Sequence, residues 1–409
     1  MSENIEIKRL GDLCELVTKG TTPTSLGHKF VDEGINFIKV ESLTASGEII
    51  ANKVAYIDEN CHNVLKRSQL KEDDILFSIA GALGRIGIVK KEIIPANTNQ
   101  ALAIIRLKEN SSVLVSYLAR YFNSSLIQDE IEKLRGGAAQ QNLSLSQLND
   151  LKIPIPSICQ QEQIIKVLDK AFTAIDKAKA NAEENLKNAK ELFESYLQGV
   201  FENKDGDWEE KTLGELADFR NGINYTKSSK GEKVKIVGVR DFQNSFWVPY
   251  KTLDSAILDG KINELDLLQK GDIITVRSNG NPQLIGRTLL ADDVKEKVSH
   301  SGFTIRIRLN TKNINSVYLC HFLKIPSTRK ILVDGGNGVG IKSLNQVSLS
   351  LLSIPYPKSL SIQESIVKNI EAFSKEIKHL KNTYLKKIDD LEELKKSILQ
   401  KAFSGELKI

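Results

Sequence analysis

Ser195-Tyr-Leu-Gln-Gly-Val-Phe201 and Ser397-Ile-Leu-Gln-Lys-Ala-Phe403 decide the fold, because they are nearly the same segment and lie about 200 residues apart. Each ends a charged region in which apolar residues recur every three or four positions. A sequence match at this separation predicts a duplicated unit, and the rest of the chain can be compared copy against copy.

Short matches continue towards the start of each copy in the same order and at nearly the same spacing. A duplicated scaffold whose copies share no task is the alternative explanation of this repeat. The matching pairs are Leu10–Leu13 with Leu213–Leu216, Ile105–Leu107 with Ile307–Leu309, Gly136-Gly137 with Gly335-Gly336, Ile153–Pro156 with Ile354–Pro357, and Gln161-Glu162 with Gln363-Glu364.

The local pattern changes at the Pro-x-Pro of each copy. Short segments typical of strands precede it, such as Asp74–Ile79 and Asp272–Val276. All nine prolines lie outside 158–248 and 358–409, and helical periodicity appears after the Pro-x-Pro of each copy. In the first, the apolar stripe is interrupted where Lys179 falls. In the second, Ile370, Ile377, Tyr384, Leu391 and Ile398 recur every seven residues, with Phe373, Leu380 and Leu394 at companion positions.

Two long helices, each of about 40 residues and roughly 60 Å, follow from these stripes. If the stripes bury each other, the second helix must run back towards the first domain. The predicted fold class is therefore α+β, with two similar α/β domains separated by a pair of long antiparallel helices and related by a pseudo-twofold axis. The predicted boundaries are 1–157 and 205–358 for the domains, and 158–204 and 359–409 for the helices.

Composition limits the function less than the repeat does. The chain has 409 residues, a net charge of +5 and 41% hydrophobic residues, which is compatible with nucleic-acid binding but weak evidence for it. No apolar run approaches the roughly 18–20 residues that span a membrane. The cysteines are far apart, and the N-terminus lacks the pattern of a signal peptide, so a cytoplasmic location is expected.

A search for catalytic motifs favours a protein that is not an enzyme. The segment Gly335–Ser343 is similar to a phosphate-binding loop, but Ile341 separates Gly340 from Lys342 and breaks the required spacing. Neither an Asn-Pro-Pro-Tyr nor an Asp-Pro-Pro-Tyr segment of an amino-methyltransferase occurs, and the histidines have no metal-ligand spacing. We therefore expect no cofactor, no metal and no catalytic residue in this chain.

Polar loops are the candidate binding elements. Arginine, asparagine and glutamine can make paired hydrogen bonds to guanine and adenine, whereas arginine and lysine can equally bind phosphates. From loop chemistry alone, the alternative that these are ordinary surface turns is favoured. The candidate DNA-binding residues are Arg85, Asn99 and Gln141 in the first domain, and Arg277, Asn279, Gln283, Arg287 and Lys342 in the second.

The order of these elements, found twice, resembles the specificity subunits of Type I restriction–modification systems over the whole chain. The similarity rests on the Leu10–Leu13 and Leu213–Leu216 openings, the segment Asp74–Arg85, the paired glycines, the Ile-Pro-x-Pro exits, the Gln-Glu helix starts and the Leu-Gln-x-x-Phe endings. The resemblance implies two target-recognition domains for a split sequence of double-stranded DNA, with helices that space the domains.

The same resemblance implies partners. Two DNA adenine methyltransferase subunits would dock on the helices, and ATP-dependent restriction subunits would join them. S-adenosylmethionine, ATP and Mg would then be bound by those partners. Two other hypotheses remain: a fused enzyme with an unrecognised active site, and a coiled-coil scaffold that binds only protein.

Overall fold

The two copies of the repeat have the same order of strands and nearly the same order of helices in the computed structural model, which describes residues 5–44, 47–134, 142–204, 206–226, 228–243, 245–334 and 343–407. Internal contacts divide the chain into a first unit, Met1–Glu183 with Lys386–Ile409, and a second unit, Glu184–Leu385. Each unit thus contains one copy of the strand-rich region and part of both long helices.

The first copy combines short strands with short helices. Its elements are β1 (Glu6–Arg9), α1 (Leu10–Leu13), β2 (Cys14–Lys19), β3 (Ile35–Ile38), β4 (Ala55–Ile57), α2 (Glu59–Val64), β5 (Ile75–Ser78), β6 (Ile86–Ile88), β7 (Ala96–Thr98), β8 (Leu102–Leu107), α3 (Val115–Phe122), α4 (Ser125–Leu134), α5 (Leu145–Asp150), β9 (Lys152–Ile155) and the long helix α6 (Ile158–Glu202).

The second copy repeats this order, except that α2 has no α-helical counterpart among the residues described. Its elements are β10 (Trp208–Thr212), α7 (Leu213–Leu216), β11 (Ala217–Asn221), β12 (Lys233–Val237), β13 (Asp254–Ile257), β14 (Ile273–Val276), β15 (Thr288–Leu290), β16 (Val298–His300), β17 (Thr304–Leu309), α8 (Ser316–Leu323), α9 (Pro326–Asp334), α10 (Gln346–Ser350), β18 (Ser353–Pro357) and the long helix α11 (Leu360–Phe403).

Strand pairing is also the same in both copies. The strand orders β2-β8-β5-β6, β4-β3-β7 and β1-β9 in the first copy correspond to β11-β17-β14-β15, β13-β12-β16 and β10-β18 in the second. Within these sheets β3 pairs with β7, and β12 with β16, in parallel, while the other strand pairs are antiparallel. The shared topology confirms the predicted pair of similar domains.

The central strands explain why each domain has two layers of core. Every residue of β5 is buried, and successive side chains point to opposite faces of the sheet. Ile75 and Phe77 join the cluster that includes α3, whereas Leu76 joins a second cluster with Ile104. In the second domain, β14 divides its side chains between two clusters in the same way.

The two long helices are confirmed, with 45 residues in α6 and 44 in α11. In the first unit, Asp176 accepts a 2.7 Å hydrogen bond from Lys395, and one turn later Lys179 pairs with Glu392. The partner number falls as the α6 number rises, so the helices are antiparallel there. The lysine that interrupted the apolar stripe is therefore an interhelical ion-pair partner. No helix in the described ranges is long and apolar enough to cross a lipid bilayer.

The heptad pattern is only partly kept in the structure. Ile370 and Ile377 are buried, but Leu394 is 46% exposed, although the sequence put it in the buried seam. A straight helix has 3.6 residues per turn and drifts by about 20° per heptad from a repeat of 3.5. Near the end of α11, burial has consequently moved to Leu399, Ala402 and Phe403.

Each long helix ends on an aromatic pair. In the first unit, the ring of Phe403 lies 5.3 Å from that of Tyr117 and 5.2 Å from that of Tyr121. In the second unit, Phe201 lies 5.1 Å from Tyr318 and 5.4 Å from Phe322. The repeated Leu-Gln-x-x-Phe ending is thus a packing element, and the end of α11 lies on the N-terminal domain as predicted.

Each long helix begins on a buried glutamine. The side chain of Gln161 accepts a hydrogen bond from Leu114 N–H at 2.9 Å and donates to the carbonyls of Ser112 at 2.8 Å and Pro156 at 2.9 Å. Gln363 does the same with Asn315 N–H and the carbonyls of Asn313 and Pro357. Both glutamines are 0% exposed.

Replacing Gln161 by leucine should therefore destabilise the first domain. The change leaves one backbone donor and two backbone acceptors buried without this partner, so we expect the free energy of unfolding to fall by roughly 2–4 kcal/mol. Urea unfolding measures it, and Gln163→Leu on the exposed face of the same turn is the control. Equal effects of the two substitutions would contradict an anchoring role for Gln161.

Candidate nucleic-acid interface

Three loop segments of the first domain meet at Ile79, directly after β5. The Ile79 N–H donates to the carbonyl of Ala101 at 2.9 Å, and the Ile79 carbonyl accepts from Leu143 N–H at 2.9 Å. The loops after β5, before β8 and before α5 therefore start or end at one point. We call this point the loop junction of the first domain.

The second domain has a matching loop junction at Arg277, directly after β14. The Arg277 N–H donates to the carbonyl of Phe303 at 2.8 Å, and the Arg277 carbonyl accepts from Leu344 N–H at 2.8 Å. The backbone frame is the same as in the first domain, although the side chains at the paired positions differ. The two domains therefore hold loops of different sequence in the same backbone geometry.

A left-handed glycine leads into the candidate arginine of each domain. Gly84 has φ +76° and precedes Arg85, and Gly286 has φ +75° and precedes Arg287. Glycine adopts this conformation without the steric cost of a side chain. Behind the turn, Gln128 Nε2 donates to the Gly84 carbonyl at 3.2 Å, and Arg329 Nε donates to the Ile285 carbonyl at 2.9 Å.

The candidate residues of the first domain lie on two of the converging loops. Arg85 is exposed, and its guanidinium has no hydrogen-bond or ion-pair partner in the described part of the chain. Asn99 is half-buried, and its side-chain oxygen accepts from Ala101 N–H at 3.1 Å. The third candidate, Gln141, lies outside the described residues.

Most candidates of the second domain share the loop between β14 and β15. Arg277 and Asn279 are half-buried, Gln283 is exposed, and the Asn279 side-chain oxygen accepts from the N–H of Asn281 at 2.9 Å. Arg287 lies at the end of this loop. Lys342 and all of the glycine-rich segment before Ser343 lie outside the described residues.

Arg287 differs from its counterpart Arg85 because it holds the loops together. Its Nη1 donates to the carbonyls of Phe242 at 3.4 Å and Gln243 at 3.2 Å, and its Nε donates to the Gln283 carbonyl at 3.2 Å. Two matched arginines therefore have different environments: among the described residues, Arg85 has no polar partner, whereas Arg287 is part of the loop scaffold.

Each domain contains a buried arginine–aspartate ion pair in the sheet that carries its loop junction. Arg106 Nε and Nη2 each donate to Asp74 at 2.7 Å, and Arg308 makes the same paired contacts with Asp272 at 2.7 Å. These hydrogen bonds raise the pKa of both guanidinium groups. The aspartates also accept from backbone N–H groups, so each pair joins β8 or β17 to the turn before the central strand.

The second domain has a polar cluster without a counterpart among the described residues of the first domain. Arg220 is hydrogen-bonded to Asp266, Arg306 donates to the Leu265 carbonyl, and His300 contacts Thr304 at 2.9 Å. Burial, and then the charge of Arg306, lower the pKa of His300 to about 3. Thr98 and Ile104 occupy the positions of His300 and Arg306 in the first domain, so this cluster is not part of the shared scaffold.

One residue of the second loop junction, Phe303, was not among the candidates identified from the sequence. Phe303 carries the carbonyl that accepts from Arg277 N–H, yet the residue is 61% exposed. Its counterpart in the first junction is Ala101, which the internal repeat places about 200 residues earlier. Aligning the two loops position by position would have revealed this aromatic residue.

The family described as "Type I restriction modification DNA specificity domain" matches the chain over residues 2–187 and 205–389. The Type I restriction enzyme StySPI specificity subunit of Salmonella potsdam is 26% identical over 365 residues, which cover 84% of this chain and 77% of the relative. The EcoKI specificity subunit of Escherichia coli strain K12 is 23% identical over 409 residues, with 92% and 85% covered.

Solved structures show the same fold. A chain from a structure on complex assembly and conformational transition of the type I R-M system has a TM-score of 0.75 at 17% identity, with 99% of this chain and 100% of that chain covered. The HsdS subunit from Thermoanaerobacter tengcongensis has a TM-score of 0.59 at 17% identity, with 100% and 98% covered.

The unlike environments of the two arginines predict unlike effects on stability. Arg85→Ala should leave the free energy of unfolding within about 0.5 kcal/mol, because no partner is lost. Arg287→Ala should lower it by roughly 1–2 kcal/mol, because loop carbonyls lose their donor. Thermal unfolding of both variants tests this difference, and a larger loss for Arg85→Ala would reverse the assignment.

Buried histidines should make the second domain sensitive to acid. The pKa of His300 is about 3 and that of buried His321 about 4, so below a pH of about 6.5 the unfolded chain binds protons that the folded domain excludes. Stability should fall by about 1.4 kcal/mol per pH unit for each histidine, until pH approaches the folded values.

Urea unfolding at pH 7 and pH 5 measures this loss. His300→Thr, which introduces the residue found at position 98, should weaken the pH dependence. His379→Thr on the exposed face of α11 is the control and should leave it unchanged. An unaltered pH dependence in His300→Thr would contradict the prediction.

Proposed function

Because this chain belongs to the type I restriction–modification DNA specificity family, we propose that it directs partner subunits to a split DNA sequence, with one domain recognising each half. The observation that carries the proposal is the loop junction found in both domains. Ile79 and Arg277 occupy the same backbone position, but the loops around them differ in composition. A constant frame with variable loops suits two domains that recognise different sequences.

Loop chemistry supports contacts with both phosphates and bases. The guanidinium of Arg85, which has no polar partner in the part of the chain that is described, can bind a phosphate or guanine, and the exposed Gln283 can pair with adenine. Arg287 acts mainly by holding the Gln283 carbonyl and the neighbouring loop in place. We propose a recognition role for Asn99, Arg277 and Asn279 on the basis of their place at the junctions, and for Gln141 and Lys342 on the basis of their sequence alone.

The long helices are proposed as the docking surface for two DNA adenine methyltransferase subunits. Apolar side chains that face solvent on α6 and α11 support this assignment, including those of Val167, Leu192 and Leu394. Exposed apolar side chains on a charged helix are suited to burial against a partner protein. Restriction subunits would join the assembly in the cytoplasm.

Catalysis would then belong to the partners. S-adenosylmethionine would be bound by the methyltransferase subunits, and ATP and Mg by the restriction subunits. This chain contributes recognition and spacing, and we assign it no catalytic residue.

A coiled-coil scaffold that binds only protein is the alternative function. It would explain the long helices but gives no role to the matched loop junctions. The two functions differ in one measurement, the preference of the assembled complex for particular duplexes. Equal affinity for all duplexes at a fixed salt concentration would favour the scaffold.

Exchanging residues 205–358 for the matching domain of a relative should change only one half of the methylated sequence. Each domain has its own core, so recognition should be modular. Methylome sequencing of cells with the chimera and its methyltransferase gives the result. The reciprocal exchange of residues 1–157 is the control and should change the other half. If either exchange alters both halves, the domains are not independent.

A further inference from the structure

Phe303 presents an exposed aromatic ring at the loop junction of the second domain. It lies in the short connection between β16 and β17, and its carbonyl accepts from the N–H groups of Arg277 at 2.8 Å and Ser278 at 3.3 Å. The backbone of this residue is therefore tied to the loop that carries Arg277 and Asn279. Phe303 is 61% exposed even though its backbone is held by these hydrogen bonds.

The residue before Phe303 restricts the connection further. A Cβ atom at Gly302 would lie 2.1 Å from the side-chain oxygen of Asn224, and the Gly302 N–H donates to the Ile223 carbonyl at 2.8 Å. A larger residue at position 302 would have to displace the side chain of Asn224. The backbone that carries the aromatic ring is thus held by hydrogen bonds at both Gly302 and Phe303.

The first domain has different chemistry at the same point. Its connection between β7 and β8 carries Asn99 and Gln100 and then Ala101 at the position of Phe303. Because Ile79 N–H donates to Ala101 as Arg277 N–H donates to Phe303, the two positions are equivalent in the fold. The connection in the first domain thus carries amide side chains and a methyl group, whereas the connection in the second domain carries a phenyl ring.

Exposure alone would not assign a role, since isolated apolar residues are common at protein surfaces. The location is what distinguishes Phe303, because the ring shares its backbone anchor with candidate recognition residues. An aromatic side chain placed among arginine and amide groups can supply apolar contact beside directional hydrogen bonds. Nucleic-acid bases offer apolar partners of two kinds, the thymine methyl group and the face of an unstacked base.

Resting on the proposed function, we propose that Phe303 is a specificity-determining residue that makes an apolar contact with a base of the half-site bound by the second domain. The first domain, with Ala101 at this position, makes no such contact and relies on polar groups. The two halves of the target are therefore distinguished by different interactions at equivalent points of the fold.

The test uses the full chain assembled with its methyltransferase subunits and duplexes that carry the methylated target sequence. Phe303→Ala should weaken binding to this target about 10-fold, the order expected when one base loses an aromatic contact. Affinity for duplexes altered only in the other half-site should follow the same ranking as with the unmodified chain. Phe303→Leu, which keeps apolar surface, should recover part of the lost affinity.

Leu265→Ala is the matched control. Leu265 is 58% exposed but lies in the segment before β14, at the opposite end of that strand from Arg277. The complex with the Leu265→Ala variant should bind the target as tightly as the complex with the unmodified chain does. Thermal unfolding of each variant shows whether a loss of affinity accompanies a loss of structure. A defect in Phe303→Ala that vanishes once the folded fraction is corrected would overturn the proposal.

Two modified duplexes distinguish the kinds of base contact. Deoxyuridine in place of each thymine removes the methyl group, and it should weaken binding by the unmodified chain but not by Phe303→Ala if the ring contacts that methyl. 2-Aminopurine reports unstacking, and its fluorescence should rise with the unmodified chain but not with Phe303→Ala if the ring contacts a base face. A response in neither assay would overturn the proposal.

The outcomes also separate this proposal from the function on which it rests. If the unmodified complex binds the target and an unrelated duplex equally, sequence recognition itself fails. If the unmodified complex is selective and Phe303→Ala retains the same affinity and selectivity, recognition stands and the role of Phe303 is rejected.

Discussion

The buried side-chain amides of Gln161 and Gln363 are the constraint on which the rest of the structure depends. Each amide is hydrogen-bonded to three backbone groups. One lies at the end of β9 or β18, and two lie in the turn before α3 or α8. An amide in this setting fixes direction, because hydrogen bonds weaken steeply when their angles change. The first turn of each long helix is therefore held in one orientation relative to its own domain. The apolar residues that follow, such as Leu168 and Ile370, then pack in the core of the same domain.

The residues that maintain the fold are separate from the loops that are proposed to recognise DNA. The bidentate arginine–aspartate pairs and the glutamine anchors occur in both domains at matching positions. The loops that leave Ile79 and Arg277 share the hydrogen bonds and the left-handed glycine at their ends. Variation is thus confined to segments whose ends are fixed by backbone contacts, which tolerate changes of side chain. A new loop can be accepted without repacking the core beneath it.

The sequence predicted the duplicated domains and both long helices, because repeats and helical periodicity are visible along the chain. It did not predict strand order, since β2 and β8 are brought together by tertiary packing rather than by local preference. The different environments of Arg85 and Arg287 were also hidden, because each follows a glycine and only the fold places the carbonyls of Phe242 and Gln243 beside one of them. Leu394 was misplaced because the seven-residue repeat was extended to the end of α11, where the buried residues Leu399, Ala402 and Phe403 instead pack in the core of the N-terminal domain.

The contact between Phe403 and the pair Tyr117 and Tyr121 also affects the order in which the protein can be completed during synthesis. Leu399, Ala402 and Phe403 belong to the same apolar cluster as Tyr117 and Leu118, although almost 300 residues separate them along the chain. The N-terminal domain leaves the ribosome first, but its core lacks these side chains until translation has passed residue 403. Closing a contact across so much chain is slow, and the unfilled surface is exposed meanwhile. The nascent domain must therefore persist with an open aromatic site until the end of α11 arrives.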